Sequence, residues 1–159
     1  MTKTHYIQYR GDGFWAYDVA QGILLKHLAD LAEACAGKPS LSWLTEAAHS
    51  WRIGAVLYGL WIEESWTAEQ MATFSDLVRQ ACTILEAWEK IAAKEIVSWP
   101  MVDDLRIYPR GAVEVSTAPV VELGRAIISL IQGSLAPAPA GTWWCFGFPE
   151  GRTTIRKRE

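Results

Sequence analysis

The strongest hydrophobic pattern in the chain spans residues 67–93 and predicts one long helix there. Its apolar positions recur every three or four residues, which is the wide stripe of a helix packed into a globular core. The stripe consists of Met71, Phe74, Val78, Ala81, Leu85, Trp88 and Ala92. Thr67 and Gln70 have the spacing of a capping box, which fixes the start of the helix.

Three further stretches have helical periodicity. They are residues 18–36, where Asp18 is a candidate N-cap, residues 41–57, and residues 117–133, which end at Gly133. Each predicted helix has one apolar face that needs a cover, so we expect the four helices to pack together around the long one in a monomeric core. The heptad spacing of residues 67–93 leaves a coiled-coil homodimer open as an alternative.

Short extended stretches lie at both ends of the chain. Residues 6–10 alternate and lead into Gly11-Asp12-Gly13, a turn signal, which predicts one N-terminal strand. Residues 142–148 and 152–158 flank Pro149-Glu150-Gly151 and predict a hairpin. We therefore expect one mostly helical α+β domain over residues 1–159. A four-helix core would pack against a small antiparallel sheet made from the N-terminal strand and the C-terminal hairpin.

Composition indicates a folded, cytoplasmic protein. The 159 residues are half apolar and 21% charged, which excludes a disordered chain. The net charge of −3 does not favour a nucleic-acid or membrane partner. No apolar run resembles a signal peptide or is long enough to cross a bilayer. The three cysteines are scattered without a Cys-x-x-Cys pair, as expected in a reducing cytoplasm.

Two features point to a protein partner. The chain has nine tryptophans, and those that the core does not use are available as interface anchors. Residues 95–111 contain two prolines and no helical period, which predicts a long ordered loop. The loop mixes aromatic, acidic and guanidinium groups, as protein interfaces do. The candidate binding residues are Trp99, Asp103, Asp104, Arg106, Tyr108 and Arg110.

The sequence contains no recognisable catalytic motif. It lacks a Gly-x-Ser-x-Gly elbow, a P-loop, a dinucleotide-binding fingerprint and a His-Glu-x-x-His pair. The three histidines have no metal-ligand spacing, so neither a metal nor a cofactor is predicted. The alternative is a small-molecule or enzymatic pocket assembled from distant residues, between the sheet and the first helix. Its candidate residues are Trp15, Asp18, His27 and Trp143.

A resemblance is carried by residues 139–148 (PAGTWWCFGF), by the pair Trp99-Pro100 and by residues 108–111 (YPRG). These segments resemble an uncharacterised family of small bacterial proteins. In size, mild acidity and aromatic content the chain is also similar to the immunity proteins of bacterial toxin systems. The second similarity implies a non-catalytic cytoplasmic domain of immunity or adaptor type that binds a protein partner. Neither similarity assigns a role to an individual residue.

Overall fold

The computed structural model describes residues 3–158. Within these residues the chain forms five α-helices, a four-stranded mixed sheet and a separate two-stranded sheet. The predicted α+β class is therefore confirmed. The predicted four-helix core and the purely antiparallel sheet are wrong, and the differences arise at three places in the chain.

The first difference is an N-terminal hairpin in place of a single strand. β1 (Thr4–Tyr9) pairs antiparallel with β2 (Asp12–Tyr17) through a two-residue turn. Arg10 and Gly11 form that turn with φ angles of 49° and 82°, the left-handed pair that matches the twist of a hairpin. Phe14 and Ala16 of β2 are completely buried. The apolar Trp15 between them hides the alternation, which explains why the sequence did not indicate this strand.

The five helices, in chain order, are α1 (Asp18–Cys35), α2 (Leu44–Val56), α3 (Ala68–Trp88), α4 (Ala93–Ile96) and α5 (Ala118–Gln132). All except α4 lie close to the predicted ranges. A short 3-10 turn, Pro39–Leu41, precedes α2. The four-residue α4 was not predicted, because it is shorter than any periodic pattern can reveal.

The second difference concerns the end of α3. Its capping box is confirmed: the Thr67 side chain accepts from the Gln70 backbone, and the Gln70 side chain accepts from the Thr67 backbone. The predicted continuation to Ala93 is wrong, because Glu89 has a φ of 60° and reverses the chain. β3 (Lys90–Ala92) then pairs antiparallel with β4 (Glu114–Ser116). Ile91 remains buried in this strand, so the hydrophobic spacing continued past the helix.

The apolar stripe of α3 faces the interior of the same chain. Its completely or almost completely buried members are Phe74, Leu77, Val78, Ala81 and Leu85. They pack in one core with the apolar faces of α1 and α5, both of which contact α3. This stripe is therefore covered without a second copy of the chain.

The third difference is the order of the strands. The predicted C-terminal hairpin is present as β5 (Thr142–Phe146) and β6 (Thr153–Arg156). It joins the sheet beside β2 rather than β1, and β2 and β5 run parallel, which gives the order β1-β2-β5-β6. Phe14 and Phe146 meet edge to face across this junction, with ring centroids 4.9 Å apart. A parallel pair needs a long crossover connection, and the five helices between β2 and β5 provide it. The sheet is therefore mixed.

Candidate functional site

The segment between α4 and β4, residues 97–113, folds back over the start of α1 and the end of α2. Trp99, Met101 and Ile107 are buried and attach this segment to the core. Between it and α2 lies a groove of about 300 Å³, which we call the loop groove. Its walls are His5, Asp18, residues 55–57 at the end of α2, and residues 105–108.

The rim of the loop groove is an exposed apolar patch. Leu57, Leu105 and Tyr108 line the groove and are 54%, 41% and 55% exposed. Tyr58 follows Leu57 in the chain and is 49% exposed. These four belong to only nine strongly exposed large hydrophobic side chains within residues 3–158. Three of the four line one groove and the fourth adjoins Leu57 in the chain, which distinguishes the patch from the scattered apolar residues of an ordinary protein surface.

An ion pair links Asp18, which lines this groove, to Arg110 of the 97–113 segment. Arg110 Nε donates to both carboxylate oxygens of Asp18 at 3.0 Å, and Nη2 donates to Oδ2 at 2.7 Å. The two side chains are 20% and 17% exposed, so water screens the pair only in part. The hydrogen bonds to Asp18 raise the pKa of Arg110. This contact holds residues 97–113 to the first residue of α1.

The charged end of the rim is a tight turn. Val102 and Leu105 form a bridge, and Leu105 N donates to Val102 O at 3.0 Å. Asp103 has a φ of 50°, and Asp103 and Asp104 both project as exposed carboxylates at the tip. Arg106 is exposed on the same turn, and its Nη1 donates to Leu105 O at 2.8 Å. The apolar rim is therefore bordered by both signs of charge.

Trp99 lies apart from this surface. Its indole is only 7% exposed. The Lys26 ammonium lies 4.5 Å above the ring, and the His27 ring meets it edge to face at 5.7 Å. Trp99 therefore anchors the segment, whereas Asp103, Asp104, Arg106 and Tyr108 reach the surface.

The four residues of the alternative pocket lie in three different places. Asp18 lines the loop groove. Trp15 and Trp143 both contact Tyr6, whose ring centroid is 5.2 Å from the first and 5.4 Å from the second. His27 is buried in α1, where its Nδ1 is 2.8 Å from Ile23 O and its ring contacts Trp88. None of the grooves described in this structure brings all four together.

The buried titratable groups show no activated nucleophile or base. Burial lowers the pKa of His27 and favours its neutral form. Burial raises the pKa of both Cys82 and Cys145 to about 11, so both thiols are protonated at neutral pH. Within residues 3–158, no group of three or more His, Cys, Asp or Glu side chains could hold a metal ion. No helix in the described part of the chain is long and apolar enough to cross a membrane.

Two rim residues, Leu57 and Tyr58, were not among the sequence candidates. They follow the last turn of α2 immediately before Gly59, where the helical period breaks. The available signal for their exposure was their position directly after the end of a periodic apolar stripe. Residues at such a position do not belong to the buried face of the helix. Sequence alone does not indicate that the 97–113 segment lies next to them.

Comparisons with family models, curated proteins and solved structures found no significant match to this chain. Function must therefore be inferred from the geometry of the site itself.

Proposed function

We propose that this chain is a non-catalytic protein-binding domain whose partner binds across the loop groove. The observation that carries the proposal is the exposed rim of this single groove, formed by Leu57, Leu105 and Tyr108 and extended in the chain by Tyr58, with exposures of 41–55%. When a partner removes exposed apolar side chains from water, the free energy of the complex is lowered, and a patch of such side chains favours binding.

The composition of the surface suits a protein rather than a small molecule. Two tyrosines supply large contact areas with few rotatable bonds, and the charged residues 103, 104 and 106 border them as a polar rim. A groove of about 300 Å³ is at the lower limit for a ligand pocket, but it can hold one side chain of a partner as an anchor.

The Asp18–Arg110 ion pair supports the same proposal through preorganisation. Because this pair holds the 97–113 segment against α1, Leu105 and Tyr108 are already ordered before a partner arrives. Less conformational entropy is then lost on binding, and affinity is correspondingly higher.

The setting that we propose is the bacterial cytoplasm, with a protein of immunity or adaptor type. The three free thiols of Cys35, Cys82 and Cys145 support a reducing compartment. A toxin domain with a complementary apolar and charged surface is the partner that the immunity hypothesis predicts.

Site-specific photo-crosslinking in the native host tests this proposal. A photoreactive phenylalanine analogue replaces Tyr108 in one variant and Ile155 in the control, because Ile155 is also an exposed apolar residue but lies on β6. We expect a defined adduct with one other protein from position 108 and not from position 155. Adducts that are the same from both positions, or only with a second copy of the chain, would contradict the proposal.

A further inference from the structure

A second groove lies at the other end of α2 and is built largely from tryptophan. It is bounded by the first half of α2, by residues 57–67 between α2 and α3, and by the first turn of α3. Its volume is about 280 Å³. Four of the nine tryptophans line it, namely Trp43, Trp51, Trp61 and Trp66. We call it the tryptophan groove, and it shares no lining residue with the loop groove.

Three of these indoles form a fixed wall. Trp43 and Trp66 are in contact with ring centroids 5.5 Å apart. Trp66 and Trp51 both contact the completely buried Phe74, at 5.2 Å and 5.6 Å. The wall is therefore continuous with the core, and its ring orientations are set by core packing.

Trp61 is the most exposed of the four indoles. It is 63% exposed, and within residues 3–158 its ring contacts none of the other aromatic rings. One indole without a ring contact and three packed indoles therefore line the same groove of about 280 Å³. That arrangement can enclose a group the size of a methylated ammonium.

The charge of the groove is acidic. Glu46 and Glu63 line it, and no Lys or Arg is among its lining residues. Elsewhere the chain places its own cations over tryptophan: Lys26 over Trp99, Arg152 over Trp144 and Lys157 over Trp143, at 4.0–4.8 Å. Over the four indoles of the groove, the described residues place no such cation.

We propose that the tryptophan groove binds a quaternary ammonium group. The negative faces of indole rings attract a cation, but they accept hydrogen bonds poorly, so an ammonium with N–H groups would lose water without full replacement. A fully methylated nitrogen has no N–H to satisfy, and its methyl groups pack against the rings. Glu46 and Glu63, which also line the groove, add Coulombic attraction for the cation.

Two sources can supply this chemistry: a small free compound, or a trimethylated lysine side chain of a peptide. Calorimetric titration of the full chain distinguishes them. Choline serves as the small compound, and its neutral isostere 3,3-dimethyl-1-butanol serves as the control for shape and hydrophobicity. A trimethyllysine peptide and its unmethylated counterpart form the second arm.

We expect choline to bind with a dissociation constant on the order of 1 mM, and the neutral isostere at least about tenfold more weakly. If the trimethyllysine peptide binds roughly tenfold more tightly than choline, the source is a methylated protein. Similar or weaker peptide binding indicates a free compound. Equal affinity for choline and its isostere, or no saturation by choline or methylated peptide up to about 20 mM, would overturn the proposal.

Matched variants locate the site. Trp61→Leu keeps an apolar side chain but removes an aromatic face, and we expect it to weaken choline binding roughly fivefold to thirtyfold. Trp88→Leu is the control, because Trp88 is also partly exposed at 41% but contacts His27 outside the groove. Unchanged choline affinity in Trp61→Leu, with its thermal unfolding also unchanged, would show that the groove is not the binding site.

Discussion

The two grooves occupy opposite ends of α2, and they are held in shape by different means. The wall of the tryptophan groove is a set of rings resting on Phe74, so its form follows from core packing. One wall of the loop groove is irregular backbone, attached by the buried Trp99, Met101 and Ile107 and by an ion pair between residues 92 positions apart in sequence. The tryptophan groove should therefore resist local changes at the surface, whereas the loop groove should depend in addition on this polar contact.

The grooves nevertheless share one structural support, the backbone of Gly59 and Leu60, which connects Leu57 of the loop groove to Trp61 of the tryptophan groove. The side chain of Gln21 accepts a hydrogen bond from Leu60 N at 2.5 Å, and Gly59 N donates to Gly54 O at 2.7 Å. Changes at this support should affect both grooves, and changes elsewhere should affect only one.

The largest effect is expected for Gly54→Ala. An added methyl group at this position would overlap the carbonyl oxygen of Gly59, which belongs to backbone that cannot move aside easily. We expect a loss of about 2–3 kcal/mol in the free energy of unfolding, measured by urea denaturation. Gly37→Ala is the control, since nothing lies within 4 Å of the added methyl group. Similar stability of the two variants would show that the close approach to Gly59 is unimportant.

Removing the charge of Asp18 should affect the loop groove alone. Asp18→Asn weakens the hydrogen bonds from Arg110, and we expect a loss of about 1–3 kcal/mol in unfolding free energy. Hydrogen exchange should accelerate in residues 97–113 but not in residues 61–66. Asp76→Asn is the control, because the Asp76–Arg79 pair is exposed and should contribute less than about 1 kcal/mol. Faster exchange in both segments would mean that the grooves are coupled.

Acidification should lower the free energy of unfolding through His27, whose ring contacts Trp99. Burial lowers the folded-state pKa of His27, with opposing contributions from its backbone hydrogen bond and from Asp30 and Glu95. The unfolded chain therefore binds more protons than the folded chain as pH falls below about 6.5, and stability must decrease there. His27→Gln should flatten the dependence of unfolding free energy on pH between about 7 and 5. His49→Gln, at an exposed position of α2, is the matched control.

A further contribution from Asp30 belongs to a lower pH range. Burial would raise its pKa, but hydrogen bonds from Lys26 and Arg52 outweigh burial and lower it below 3.8. The stability that this carboxylate contributes is therefore lost only as pH falls below about 4. A slope between pH 5 and 7 that persists in His27→Gln would contradict the assignment to His27.

The smallest effect on stability is expected at the rim itself. Leu105→Asp combined with Tyr108→Ala changes side chains that are 41% and 55% exposed, so the free energy of unfolding should change by less than about 1 kcal/mol. Thermal unfolding followed by circular dichroism measures this. A larger loss would mean that these residues serve the fold rather than a partner.

Sequence reasoning succeeded where the determinants are local. The capping box of Thr67 and Gln70 depends on neighbouring residues, and α3 begins where the sequence indicated. The C-terminal hairpin likewise followed from its own strand formers and turn. The parallel pairing of β2 with β5 was not predicted, because it joins residues more than a hundred positions apart and leaves no periodic signal.

The candidate site was predictable only in part. Tyr108 and Arg106 belong to a loop whose composition indicated an interface, and both are exposed. The burial of Trp99 was not visible, since an aromatic residue in a loop can face either way until its neighbours are known. The ion pair of Asp18 with Arg110 joins residues that the sequence analysis assigned to two separate sites, and only the tertiary fold brings them together.

The most direct test of the proposed function is the affinity of the crosslinked partner, once purified, for three forms of the chain. For the Leu105→Asp and Tyr108→Ala double variant, we predict a loss of at least about a hundredfold relative to the unmodified chain. For Trp61→Leu, which changes a side chain that does not line the loop groove, we predict a change of less than about threefold. Unchanged affinity of the double variant, with its fold intact, would contradict the assignment of the partner to the loop groove.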